Sequence, residues 1–463
     1  MQLFNFDVAC ARLQASQKLH SCWIVFLAFL FLHYYVDVVA FPYDSSHYWR
    51  LSDPDTLLSY PKTIRGYFYP LILSPVRMLG RLVADSDLII FRLASSLVYA
   101  FLLTVTVPNL FVNIFGGKVS LVRRIAFSTL VATIFPGLLL FPLSDLPAFL
   151  LLFAAVSLAV RAGRLGTLWP LFWAGILTSA SYNVRTIYLF SFLLLVVIIP
   201  FFLLGNKPWA TRFMGLMVFI LGALIVATPQ LFINMRTHGK VTPLVQASDV
   251  SSNSLLAAQL RWGIMIQRYE TSVRPDSPAP SIFYLDPAGA NLFAAQQVEA
   301  TPTTVSSYLK LVLKNPTEFM GIYGRHLVNG LDVRDGMVYV KKESGKRSVF
   351  SIFNFCILFC GLFILSIHRP AIFRFRTLLT TAVLLIPVAA ILPGAVETRF
   401  FLPLHLMIYG VIAFHFDLRK VRSAIIATPL LVTISLVASL LMFTAITTST
   451  MVHSTYSWPL QYR

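Results

Sequence analysis

The chain has 463 residues, of which 57% are apolar and only 12% charged, and its mean hydropathy is +0.75. Soluble domains carry roughly 25% charged residues and cannot bury so much apolar surface in their own cores, so lipid must solvate the remainder; a soluble enzyme, a disordered chain and a secreted disulfide scaffold are excluded. The net charge of +18 would suggest nucleic acid in a soluble chain, but the placement of the basic residues reads as membrane topology and no nucleic-acid partner is expected.

The first apolar run, 22–41, is longer than the core of a cleavable signal and long enough to cross a bilayer, so it reads as a retained helix. Ten more spans are expected at 88–110, 125–141, 146–160, 168–183, 186–204, 213–231, 349–367, 377–395, 400–416 and 423–445. The fold class is therefore an all-α polytopic membrane protein with about eleven transmembrane helices. Between the first two spans, 42–87 holds an apolar stretch, 67–83, broken by Pro70, Pro75, Arg77 and Arg81, which predicts a helix lying in or re-entering the interface. The organisation is an N-terminal membrane module at 1–231, an outer segment of helical and irregular stretches at 232–348, and a C-terminal membrane module at 349–463. Within the outer segment, the apolar spacing over Tyr308–Tyr323 predicts a helix that either packs down on the membrane modules or contributes to a binding site. Cys10, Cys22, Cys356 and Cys360 read as packed apolar thiols, without metal-ligand spacing.

The alternation of charge fixes orientation. With the N-terminus in the cytoplasm, the cytoplasmic segments hold fifteen basic residues, Arg123 and Arg124 among them, against two acids, Asp7 and Asp417. The tight turns on the other side carry at most one basic residue each, and the acids gather there instead. Asp37 lies at the outer end of the first span and Asp44 just after it, Asp145 lies between the third and fourth, Arg185 and Arg399 occupy two further turns, and Glu397 precedes the tenth span. Ionisable groups at span ends are functional candidates, and their common side predicts one site at the outer membrane–water boundary.

Each of these residues has a plainer alternative. Asp44 either works on a hydroxyl proton or caps a helix after Pro42. Asp145 either joins the site or caps the fourth span. Arg185 and Arg399 either pair with local acids or hold a lipid phosphate, a task that suits a guanidinium. His47 and His405 read as packing or hydrogen-bonding residues rather than metal ligands. No GxxxxGK loop and no HExxH motif occurs, and Asn315-Pro316-Thr317 is disqualified as a glycosylation sequon by its proline, which points towards a bacterial inner membrane.

Six short motifs on the outer side follow in order: Asp44 with Tyr48; Arg65-Gly66-Tyr67-Phe68-Tyr69-Pro70; Ser144-Asp145-Leu146-Pro147; Asn183-Val184-Arg185; Thr228-Pro229-Gln230 through Arg236, with His238-Gly239-Lys240; and Glu397-Thr398-Arg399-Phe400-Phe401-Leu402-Pro403. In this order the chain resembles the GT-C membrane glycosyltransferases, which use polyprenyl-phosphate sugars. The resemblance implies transfer of a sugar from such a donor to a glycan or lipid acceptor of the cell envelope, such as lipopolysaccharide. It implies Asp44 as the catalytic carboxylate, Arg185, Arg399 and Arg65 as donor-phosphate ligands, and Tyr48, His47, Asp145, Glu397 and Tyr69 as substrate contacts. Ser45 and Ser46 stand where many relatives carry a second acid, so no metal and no other cofactor is expected. A lipid-sugar flippase, an O-antigen ligase or polymerase, and a non-catalytic scaffold are the rival readings. A transporter would more often show repeats and charge at the bilayer midplane.

Overall fold

The computed structural model describes residues 2–83, 86–246, 255–271, 281–295, 304–333, 339, 347–367 and 374–430, with 432, 434–435, 437–439 and 454–455. It is predominantly helical. Among the described residues, seven helices are long and apolar enough to cross a membrane. They are α1 (Gln2–Val36), α5 (Asp87–Phe115), α7 (Asp145–Leu165), α9 (Thr186–Leu203), α10 (Trp209–His238), α15 (Arg347–Ile367) and α17 (Thr398–His415). Three more expected spans fall on shorter helices, α6 (Leu121–Ile134), α8 (Trp169–Val184) and α16 (Phe375–Ile391). The eleventh begins in α18 (Leu418–Ala427) and is described only in part, with 431, 433, 436 and 440–445 outside the described residues.

The first span sits earlier than the apolar run suggests. Its membrane-length window is Gln14–Val36, with Lys18 and His20 in the first turns of that window inside an unbroken helix. It stops where Asp37 adopts a left-handed φ of 48°, a conformation Asp tolerates better than most residues. Trp23, Leu27, Phe31, Tyr34 and Tyr35 stand exposed along it, an apolar face that only lipid can cover. Cys356, expected to pack, is also exposed. Arg124, expected in a cytoplasmic loop, is instead buried in the first turn of α6, where it donates to the Thr104 carbonyl. That carbonyl lies in a π-helical stretch of α5, Leu102–Thr106, whose wider turn frees backbone acceptors.

α8 lies between α7 and α10 and packs along both. Gly175 of α8 and Gly222 of α10 make the close crossing. A Cβ on Gly175 would strike the Phe219 carbonyl, and one on Gly222 would strike that of Phe172. Small residues at such crossings replace the missing hydrophobic drive in lipid with backbone contact.

Three helices follow the first span before the next: α2 (Tyr43–Leu51), α3 (Pro54–Leu58) and α4 (Phe68–Leu82). α4 falls where a helix was expected, over 67–83. It buries Tyr69, Leu73 and Gly80 and exposes Leu71, Ile72, Met78, Leu79 and Leu82.

The outer segment builds α11 (Leu255–Met265), β1 (Ile266–Thr271), β2 (Ser281–Leu285), α12 (Pro287–Ala295), α13 (Val305–Lys314) and α14 (Pro316–Leu331). β1 and β2 pair antiparallel, Tyr269 opposite Phe283, and a short strand β3 (Ser454–Thr455) pairs with β2. The C-terminal strand and the outer segment therefore share a side. The stretch 308–323 is two helices rather than one, divided at Asn315 before Pro316, since proline is best accommodated at the first turn of a helix. Its buried side chains, Tyr308, Leu311, Phe319 and Ile322, form a separate core with Leu260 and Ile264 of α11. They pack chiefly inside the outer segment, but Tyr308 also meets the C-terminal membrane module, where its hydroxyl donates to the Pro393 carbonyl at 3.3 Å.

Candidate functional site

Five of the expected motifs meet at one place. α2 begins after Pro42 and sets Asp44 in its first turn, where the helix dipole favours an anion. Arg65 lies just before α4. Its neighbour Gly66 rests so close to the end of α8 that a Cβ would collide with the Asn183 carbonyl. Asp145 opens α7, Arg185 ends α8 in extended backbone, and Arg399 lies in the first turn of α17.

The side chains form a continuous chain of ion pairs. Arg65 Nη2 is 2.5 Å from Asp44 Oδ1, and Arg399 Nη2 is 3.1 Å from Asp44 Oδ2. Arg399 Nε donates to Glu397 Oε2 at 2.7 Å, and its Nη1 lies 3.7 Å from Asp145 Oδ2. Arg185 pairs with Asp145 Oδ1. Three cations and three anions thus balance within the cluster.

Burial divides the cluster into a floor and a mouth. The Glu397, Asp145 and Arg399 side chains are 0%, 4% and 6% exposed, whereas Asp44, Arg65 and Arg185 are 27%, 28% and 21% exposed. Burial alone would raise the Asp44 carboxyl, but Arg65, Arg399 and Arg185 together hold it at about 2, below the usual carboxylate range. Asp44 is therefore an anion at every physiological pH in this arrangement. Burial, and then the nearby Arg399, push the Arg185 guanidinium down. A buried cation beside another cation favours any anion brought close to it.

Aromatic rings frame the charges. Arg65 lies 5.3 Å over the Tyr48 ring, Arg185 lies 4.6 Å over Phe400, and Arg399 is 5.7 Å from the Tyr339 ring. Tyr48 donates to Ser144 Oγ at 3.0 Å and meets Tyr69 edge-on at 5.0 Å. Behind Tyr69 lies an apolar cleft of about 290 Å³ between α4, α5 and α7, lined by Tyr69, Leu73, Phe91, Tyr99, Pro147 and Leu151 among others. A smaller cavity of about 20 Å³ lies against Asp145, Arg185 and Arg399, room for about one water.

A chain of buried amides holds the mouth in register. Asn183 Oδ1 accepts from the Phe68 N–H at 2.8 Å, and Asn183 Nδ2 donates to Gln230 Oε1 at 2.9 Å. Gln230 donates to Asn234 at 3.0 Å, and Asn234 donates to the Thr242 and Leu244 carbonyls. The Asn183 and Gln230–Asn234 motifs thus tie α4, α8, α10 and the chain beyond α10 together.

Not every expected residue joins. His47 is exposed on α2 and is bonded to Arg50 at 3.3 Å, outside the ion-pair chain. Asp37 is 69% exposed and only reaches Arg92 at 3.5 Å. His405 is buried beside Phe135 and bonds Tyr409, a packing role. Among the described residues no group of three or more His, Cys, Asp or Glu could hold a metal ion.

β1 contributes residues that the sequence reading missed. The Tyr269 N–H donates to the Val396 carbonyl at 2.9 Å, and Thr271 Oγ1 donates to Glu397 Oε1 at 3.2 Å. Glu270 accepts from the Thr398 N–H at 3.3 Å and from its hydroxyl, and Arg268 pairs with Glu270 at 2.9 Å. Arg268 and Glu270 are 1% and 2% exposed, so β1 is a rigid backing for the turn that carries Arg399. Two opposite charges at alternate positions of a strand, in a chain with 19 acids in all, were the available signal. Comparison with family models, with curated proteins and with solved structures finds no match.

Proposed function

We propose that the protein is a membrane glycosyltransferase that moves a sugar from a polyprenyl-phosphate donor to a glycan or lipid acceptor of the cell envelope. The observation that carries this reading is a carboxylate, Asp44, held between two arginines, with an apolar cleft reached from Arg65 through the rings of Tyr48 and Tyr69. A lipid phosphate has this same pairing of an anionic head and an apolar tail. The membrane frame proposed with it is eleven spans in a bacterial inner membrane, with the N-terminus cytoplasmic and the charged cluster on the periplasmic side.

In this reading the donor tail lies along the cleft and its phosphate meets Arg65, Arg185 and Arg399. The acceptor hydroxyl gives its proton to Asp44 and its oxygen bonds the anomeric carbon. The bond from that carbon to the phosphate oxygen breaks, and its electron pair leaves on polyprenyl phosphate. The leaving group gains one negative charge as it departs. Arginines fixed in a site of low polarity interact more strongly with it in the transition state than in the bound donor, which is what accelerates the step. Tyr48 and Tyr69 border the sugar's path, and Glu397 and Asp145 aim Arg399 and Arg185 rather than react.

The test is transfer by the purified chain from a panel of radiolabelled polyprenyl-phosphate sugars to cell-envelope acceptors, beside Asp44→Asn. Asp44-dependent transfer from one donor supports the reading and identifies the sugar. We expect Asp44→Asn to insert normally and to lose at least about a hundredfold of the rate, as expected for a general base. Activity within a few-fold of wild type removes Asp44 from the chemistry. Binding of one lipid donor without turnover, unchanged by Asp44→Asn, favours a flippase instead.

A further inference from the structure

Arg65 and Arg399 are proposed above to hold phosphate, yet neither is free to do so. Each already donates to Asp44, one to each carboxylate oxygen, at 2.5 and 3.1 Å. The other two acids of the cluster are fixed in its floor. Glu397 is bonded by Arg399 Nε and by Thr271, and Asp145 is 4% exposed beneath Arg185. Asp44 is the most exposed acid of the three, at 27%, and lies on the short helix α2 at the mouth. Each arginine meets it through one nitrogen only, not through the two-pronged contact that makes guanidinium–carboxylate pairs strong. An anion entering from the mouth therefore reaches Asp44 first, and Asp44 is the group that can yield.

We propose that Asp44 is the resident anion of the phosphate site, and that an isoprenyl phosphate binds by displacing it from Arg65 and Arg399. This inference rests on the reading above for the identity of the ligand. Its consequence is an order of events. Before the donor arrives, the carboxylate is occupied by two cations and is a poor proton acceptor. Once phosphate takes the arginines, the same carboxylate loses its counter-ions, sits beside a second anion and becomes basic. Base and leaving-group site are then never both available without donor. An acceptor or a water that enters early meets a carboxylate already engaged.

The proposal makes an inverted prediction for a residue placed in the chemistry. Asp44→Asn, expected above to lose transfer, should bind lipid phosphate more tightly. If the closed pair occupies at least about nine-tenths of the free protein, apparent affinity in the wild type is reduced about tenfold, and the variant recovers that factor. The experiment measures binding of farnesyl monophosphate to the full chain in nanodiscs at neutral pH, for wild type, Asp44→Asn, Asp44→Ala and Arg399→Gln. Tightening of about tenfold in both Asp44 variants, with weakening in Arg399→Gln, is expected. Unchanged or weaker binding in the Asp44 variants overturns the proposal, and so does the absence of binding to any form.

A measurement on the unmutated protein guards against a folding defect in the variants. Carbodiimide labelling of Asp44, read by peptide mass spectrometry, should rise when farnesyl phosphate is added, and an unchanged or lower yield counts against displacement. Failure here is separable from failure of the enzyme reading. Asp44-dependent transfer without tighter binding in Asp44→Asn leaves the glycosyltransferase and removes the displacement. Tighter binding with no transfer from any donor leaves the displacement and removes the glycosyltransferase.

Discussion

Arg399 is the residue on which the cluster turns, because its three nitrogens face three different carboxylates. Only a planar fork with fixed donor directions does this, and a lysine ammonium cannot. Arg399→Gln should cost about 3–5 kcal/mol of stability, since it leaves Glu397 charged and buried. Adding Glu397→Gln should recover much of the loss in thermal unfolding while transfer stays at least about a hundredfold down, as for loss of a donor to a developing anion. Recovery of activity with stability would make Arg399 purely structural. Asp44, Asp145, Arg185 and Arg399 were legible because a charge at the end of an apolar run stands out in a chain with 12% charged residues. His47 was not, because nearness in sequence is not nearness on a helix. At about 100° per residue, Tyr48 lies some 40° from Asp44 on one side and His47 some 60° on the other, and only Tyr48 turns inward. Glu270 and Thr271 were illegible for a different reason. Their partners, Thr398 and Glu397, are more than a hundred residues away, and no local periodicity encodes such a pairing.

Helices near the site are positioned by contacts that leave no room for substitution. Gly66 lets the start of α4 rest on the last turn of α8, and Asn183 then closes the joint by accepting the Phe68 N–H. Gly66→Ala should move Arg65 away from Asp44 and lower transfer at least about tenfold, the scale expected when a reacting group shifts by a fraction of an ångström to one ångström. Expression and membrane insertion should hold, because the change lies outside the spans. An unaltered rate would show that the joint adapts without moving Arg65. The helix over 68–82 and the seven helices of span length among the described residues were readable from hydropathy. The end of α1 was not, since it is set by the backbone turn at Asp37 rather than by where apolar residues stop. The split at Pro316 was written in the sequence, but the apolar spacing on both sides hid it.

At the scale of the whole molecule, the charged turns, the outer segment and the C-terminal strand lie together, in accord with the alternation of basic loops. Reporters fused after Arg124 and after Gly345 should label opposite sides of the membrane. Two reporters on one side would undo the assignment of all the acidic turns to one face. The buried Arg124 weakens one basic loop, yet Arg123 beside it still points to backbone carbonyls at 413 and 416 near the surface.

The equal numbers of cations and anions in the cluster have a consequence for how a ligand finds it. Opposed charges a few ångströms apart cancel at a distance, so their field dies away faster than that of a lone charge and offers little long-range attraction. Encounter would then be governed by two-dimensional diffusion of the lipid along the bilayer into the cleft. The apparent second-order rate for the donor should change by less than about twofold between low and high ionic strength, whereas capture steered by charge falls steeply as salt screens it.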